Sequence, residues 1–222
     1  MPSAKQKEKA AQVLDILKEL FPDPECALNH DGPWQLLAAT ILSAQCTDVR
    51  VNIVTPALFE RFPTAASMAG ADLLEVEALV KTTGFYHQKS MSLISMSEDI
   101  VHKFDGVVPQ SLEELITLRG VGRKTANVLI GVAFGGDGMV VDTHVKRLSR
   151  LLGWTKVEDP VKIEQELMKL HPRCEWTQLA HRLILHGRET CIANRPKCNV
   201  CRLLSLCPYG SKREGMKIRD II

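Results

Sequence analysis

The chain has 222 residues, 45% of them hydrophobic and 24% charged, an ordinary balance for a globular protein with a sizeable core. Its formal net charge of +2 excludes any argument for a nucleic-acid partner from total charge. The longest nearly apolar run, Ala126 to Phe134, is far too short to span a bilayer, and Met1 to Lys9 lacks the apolar core of a signal peptide, so a cytoplasmic protein without a membrane partner is expected.

Helical periodicity begins at once. Val13, Ile16, Leu17 and Leu20 share one stripe among lysines and glutamates. Trp34 to Gln45 is apolar nearly all round and reads as a buried helix. Amphipathic helices follow over Ala71–Thr82 and Lys89–Phe104. Ser111, with Glu114 three residues on, predicts a capping box opening Leu112–Leu118. Lys124–Phe134 is the next helix, then Thr143–Leu152 behind an Asp142 N-cap, then one capped by Asp159 with Pro160 in its first turn.

Short joints bearing proline or glycine separate these segments, at 21–24, 31–33, 62–64, 105–109 and 135–138. The last of them, with three glycines, is the best candidate for a domain crossing. Alternating strand patterns with hairpin turns are essentially absent, so the predicted fold class is all-α. The chain is expected to fray from Ser211 onward.

Seven cysteines without an export signal point to metal or chemistry rather than disulfides. Cys26, Cys46 and Cys174 are scattered and are expected to be small buried residues. Cys191, Cys198, Cys201 and Cys207 are spaced C-x6-C-x2-C-x5-C, so four thiolates converge on something soft. Zinc sites usually show two close pairs, whereas here only the central pair is close. The unequal arms favour an iron–sulfur cluster, with zinc or four unrelated buried cysteines as alternatives. Nine Lys/Arg against two acids between His181 and Arg219 (Arg182, Arg188, Arg195, Lys197, Arg202, Lys212, Arg213, Lys217, Arg219) form either a phosphate-facing surface or a solvated basic tail. Arg195 and Lys197 lie within the first cysteine loop.

Leu118 to Ala126 places Gly120-Val121-Gly122 between two helical patterns, followed by Arg123 and Lys124. Two glycines one residue apart permit a tight turn with bare amides. Those amides, followed by a helix N-terminus, make an anion site suited to a DNA phosphate. Lys124 falls in the first turn of an apolar helix, where a cation opposes the helix dipole; burial there would favour the neutral amine of a nucleophile. A surface lysine snorkelling to water is the competing reading. Asp142, beyond its capping role, could stabilise a developing cation or shuttle protons.

Taken together, Leu42-Ser43-Ala44-Gln45, Gly84-Phe85-Tyr86, Leu118 through Asn127, Val141-Asp142-Thr143-His144 and the four-cysteine spacing closely resemble the endonuclease III branch of the helix-hairpin-helix DNA glycosylases. The resemblance runs in order from about residue 10 to 210. It implies base-excision repair of oxidised pyrimidines in duplex DNA by a bifunctional N-glycosylase and AP lyase, nicking by β-elimination. Lys124 matches the family's Schiff-base nucleophile and Asp142 its catalytic aspartate. Gln45 and Phe85 match the positions that fill or wedge the gap left by a flipped base. The hairpin Gly120, Val121, Gly122 and Arg123, with Thr143, His144, Arg195 and Lys197, are the remaining expected DNA contacts. The resemblance further implies a [4Fe-4S] cluster on Cys191, Cys198, Cys201 and Cys207. It implies a six-helix domain over 25–136, with a cluster domain built from 1–24 and 137–222. A monomer is the default expectation.

Three residues depart from the family pattern: Arg119 stands where proline is usual, Cys46 where alanine is, and Phe85 where leucine is. The first is expected to make the hairpin less stiff and more basic. Three other readings compete. One is a related enzyme that removes bases without cutting the strand. Another is a DNA-binding or redox-sensing protein without catalysis, and the third is a zinc-binding helical regulator. The Lys124/Asp142 pair, which pure binding does not need, argues against the second, and a visible iron–sulfur absorption band would separate the third.

Overall fold

A computed structural model describes residues 1–215. Among the described residues every regular element is helical and no strand occurs, in agreement with the predicted class. The chain forms two compact units, Met1–Glu25 with Met139–Ile222 and Cys26–Gly138.

In the first unit, α1 (Ala4–Leu20) opens on a capping box. Ser3 Oγ accepts the Gln6 N–H at 3.2 Å, and Gln6 Oε1 accepts the Ser3 N–H at 2.8 Å. Ala10, Val13, Leu14 and Leu17 recur at helical spacing and are buried.

The second unit carries α2 (Pro33–Leu42), α3 (Asp48–Arg61), α4 (Ala65–Ala69), α5 (Leu73–Val80), α6 (Tyr86–Phe104), α7 (Leu112–Leu115) and α8 (Arg123–Val132). Eight of the ten α2 residues are buried, as its all-round apolar sequence requires. No predicted element corresponds to α3, whose pattern is broken by Pro56; Val51, Val54 and Leu58 bury its inner face regardless. Helix α6 packs on α4 and α5, and α2 packs on α3, α6 and α8. Ser111 Oγ caps α7 by accepting the Glu114 N–H at 3.2 Å. It also donates to Glu114 Oε2 at 2.7 Å, so Glu114 bonds the Ser111 hydroxyl and not its N–H as a capping box would.

Returning to the first unit, α9 (Thr143–Leu151) packs on α11 (Trp176–Glu189), α10 (Pro160–Leu170) and α12 (Pro208–Arg213), while α1 packs on α10 and α11. Asp142 and Asp159 cap α9 and α10 as expected, accepting N–H bonds at 2.8 and 2.9 Å. Order runs past the predicted fraying point. Ser211 is 1% exposed within α12 and donates its hydroxyl to Leu204 O at 2.8 Å. Lys217 and Arg219 lie outside the described residues. The scattered cysteines are less buried than expected: Cys26 and Cys46 are half-buried, and Cys174 is exposed on a one-turn 3-10 link, Arg173–Glu175, with no buried residue. No described helix is long and apolar enough to cross a membrane.

Candidate functional site

The glycine hairpin joins α7 to α8. Gly120 has φ 81°, and a Cβ there would lie 3.0 Å from Ser92 Cβ, so both conformation and space require glycine. Val121 turns inward, 6% exposed, and its N–H bonds Leu118 O at 3.1 Å. That amide is therefore not available to a ligand. Among the described residues neither the Gly120 nor the Gly122 N–H has a protein acceptor. Gly122 is the N-cap of α8 and carries no side-chain cap, so the helix start remains open to an anion.

Arg119 corrects another expectation. Its backbone N–H, which proline would lack, donates to Asp99 Oδ2 at 2.8 Å. Its Nε reaches the same oxygen at 3.3 Å and its Nη2 meets Glu98 Oε2 at 2.9 Å. Burial alone would raise the Asp99 carboxyl, but bonds from Arg119 and Lys103 outweigh it and hold it below the usual carboxylate range. The hairpin is thus tied to α6, and the extra positive charge is neutralised on the protein.

Lys124 stands on the first turn of α8 and is exposed, the solvent-facing alternative of the two readings the motif allowed. The inner face of α8 is supplied by Ala126, Asn127 and Leu129 instead. In the same unit Gln45 (φ 53°) and Phe85 (φ 50°) are both exposed and both left-handed, a conformation that costs non-glycine residues on the order of 1–3 kcal/mol. Phe85 leaves 66% of its surface in solvent. Strained backbone presenting an aromatic ring to solvent has no packing rationale, and it coincides with the two positions expected at a DNA gap.

In the other unit, Asp142 is half-buried, and its Oδ1 is committed to the Val145 N–H. Thr143 is exposed and His144 half-buried behind it. Burial pushes the His144 pKa down, with Asp142 opposing. Sequence reasoning missed Arg147, whose guanidinium ties His144 to the cysteines. Its Nη1 bonds Cys191 O at 2.6 Å and lies 3.8 Å from Cys191 Sγ, while Nη2 sits 3.4 Å from His144 Nδ1. The available signal was its i+3 spacing from His144 on one helix.

Cys191, Cys198, Cys201 and Cys207 line a single pocket, walled otherwise mainly by leucines of α9 and the C-terminal loops. Burial raises the thiols of Cys191, Cys201 and Cys207, and the neighbouring thiols add to the rise in each. His186 Nε2 stands 3.6 Å from Cys201 Sγ, and the Gly210 N–H points at Cys207 Sγ from 3.4 Å. Arg195 and Lys197 are exposed on the loop between the first two cysteines. Other members of the basic block are committed elsewhere. Arg182 is 6% exposed and donates to Phe21 O and Pro22 O, at 3.0 and 2.9 Å, capping the end of α1. Arg202 pairs with Glu19.

The model of the HhH-GPD superfamily of base excision DNA repair proteins matches residues 38–173. Endonuclease III of Synechocystis sp. is 52% identical over 206 residues, covering 92% of this chain and 94% of that protein. A solved structure of a non-covalent endonuclease III–DNA complex is 40% identical, with a TM-score of 0.90 over 97% of this chain and 100% of that one. A trapped covalent endonuclease III–DNA intermediate, the estranged-adenine complex, is 41% identical, with a TM-score of 0.90 over 96% and 100%.

Proposed function

The chain belongs to the HhH-GPD superfamily of base excision DNA repair proteins, and on that premise we propose how its residues divide the work. It is a bifunctional DNA glycosylase and abasic-site lyase. Its substrate is duplex DNA with an oxidised pyrimidine or an abasic site. The damaged nucleotide leaves the stack, while Gln45 and Phe85 occupy the gap. The open amides of Gly120 and Gly122 and the uncapped start of α8 hold a backbone phosphate, a contact indifferent to base sequence. Arg123, Thr143, His144, Arg195 and Lys197 take further phosphates.

The Lys124 amine attacks C1′ of the flipped sugar. The C–N glycosidic bond breaks and the base departs with its electron pair and a proton. The C1′–O4′ bond of the resulting N,O-acetal then breaks, O4′ taking up a proton as the nitrogen lone pair closes a Lys124–C1′ iminium. At an abasic site the same iminium forms from the C1′ aldehyde with loss of water. Removal of a C2′ proton then expels the 3′ phosphate by β-elimination. Asp142 balances the positive charge developing at the sugar and shuttles protons in the reaction. The observation that carries this reading is the placement of Lys124, exposed one step behind a hairpin whose glycine amides are open to phosphate.

The four-cysteine cavity fits a [4Fe-4S] cluster. Its walls are apolar, burial raises the thiols of Cys191, Cys201 and Cys207, which a bound cation would draw to thiolate, and Arg147 and the Gly210 N–H supply donors to sulfur. Cys191, Cys198, Cys201 and Cys207 would be its ligands. When bound, the group supplies a rigid crosslink that holds the Arg195/Lys197 loop in place. The function is tested by borohydride reduction with abasic-site duplex. Wild type should be trapped covalently and Lys124→Gln should not. Equal trapping of Lys124→Gln would overturn the assignment of the nucleophile.

A further inference from the structure

Lys89 lies in the first turns of α6, yet it is 5% exposed and has no carboxylate partner among its recorded contacts. Burying an ammonium is costly unless its hydrogen bonds are replaced, so its partners indicate what it is for. Its Nζ donates to Thr83 O at 2.8 Å, and its backbone N–H donates to Phe85 O at 3.0 Å. The same residue thus grips the chain on both sides of Gly84 and Phe85, which are consecutive left-handed residues at φ 71° and 50°. Thr83 is locked in turn, buried and donating its hydroxyl to Val80 O at 2.8 Å at the end of α5. Burial pushes the Lys89 pKa down, and the nearby Cys46 thiol opposes it. Cys46 follows Gln45, a further exposed left-handed residue of this unit. The buried cation therefore stands directly under the strained tip that carries Phe85.

We propose that Lys89 is the positioning residue for gap filling: its ammonium braces the turn that presents Phe85, so that the ring enters DNA preformed. This rests on the reading of Phe85 as a gap-filling residue. The Phe85 turn carries no side-chain cap of its own, so its backbone strain is held by the Lys89 contacts. Preforming the tip removes the cost of ordering it on DNA.

The test uses the full-length protein, with Lys89→Met, Phe85→Ala and the double variant. Lys89→Met removes the charge at nearly constant volume; if it does not fold, Lys89→Gln takes its place. The first readout is the fluorescence of 2-aminopurine placed opposite a tetrahydrofuran abasic analogue, which rises when the orphaned base is unstacked. The second is scission of an abasic site in single-stranded DNA, which has no gap to fill. Lys89→Met should lose most of the fluorescence rise and about tenfold of duplex scission, yet keep single-strand scission within about twofold. The double variant should be no worse than Phe85→Ala alone, since the brace acts through the residue it holds. A retained fluorescence rise, additive losses, or an equal loss on single strands would overturn the proposal. If Phe85→Ala itself leaves the fluorescence unchanged, the gap-filling reading falls first and the brace falls with it.

Discussion

Asp99 shows how a single residue can reverse the meaning of its partner. Arg119 in place of proline reads as a looser and more basic hairpin. The buried Asp99 carboxylate instead accepts both the backbone N–H and the guanidinium of Arg119, with Lys103 Nζ at 3.0 Å on its other oxygen. Asp99→Asn should cost about 1–3 kcal/mol, because charged donors are left facing a neutral amide. It should also weaken binding to abasic-analogue duplex by freeing the hairpin. The linkage has a definite sign. Since the folded-state pKa of Asp99 is depressed, its stabilisation is fully present above the unfolded value of about 3.9 and is lost as pH falls through the folded value. An acid titration followed by circular dichroism should show that part of the slope missing in Asp99→Asn; identical profiles would mean the carboxylate carries no such load. Lys124 is the opposite case at this scale. Its position was legible in the motif, but its exposure was not, because burial depends on what packs beside α8.

Among elements, the pairing of α9 with α11 sets the position of His144. Gly187 lets the two helices approach: a Cβ there would sit 2.7 Å from His144 Nδ1 and 3.3 Å from Arg147 Nη2. Gly187→Ala gains helix propensity of about 1 kcal/mol, which offsets the crowding, so the melting temperature should change little. The His144 ring must move. If His144 contacts a phosphate, binding should weaken by about tenfold, the equivalent of 1.4 kcal/mol, measured by fluorescence anisotropy. Unchanged affinity would place His144 off the DNA. The helices themselves were largely readable, because their apolar residues recur at i, i+3 and i+4 and their caps are local. Helix α3 was not readable, since Pro56 breaks the pattern while tertiary burial of Val51, Val54 and Leu58 sustains the helix. The end of α12 was missed for a similar reason: Ser211 is ordered by a hydrogen bond seven residues back.

At the scale of the whole molecule, the first unit is assembled from both chain ends, and its cysteine cavity sits among α9, the end of α11 and the loops beyond. Cys198→Ala should therefore destabilise this unit and disorder the loop carrying Arg195 and Lys197, since ligation and folding are coupled. If those two side chains bind phosphates, the slope of log affinity against log salt should flatten by about 2. Full stability with an unchanged slope would count against a structural cluster. The sequence by itself determined the helical class, the hairpin with its lysine, the four-cysteine spacing and the family, because each is written in residues close together along the chain. Only the tertiary structure decided which charges face solvent. Arg182 reads as part of a basic surface but is buried against carbonyls 160 and 161 residues away; Arg119 is neutralised from α6, and Lys89 is drawn inside. Burial and pairing of a charge are set by distant segments of chain, and local pattern does not encode them.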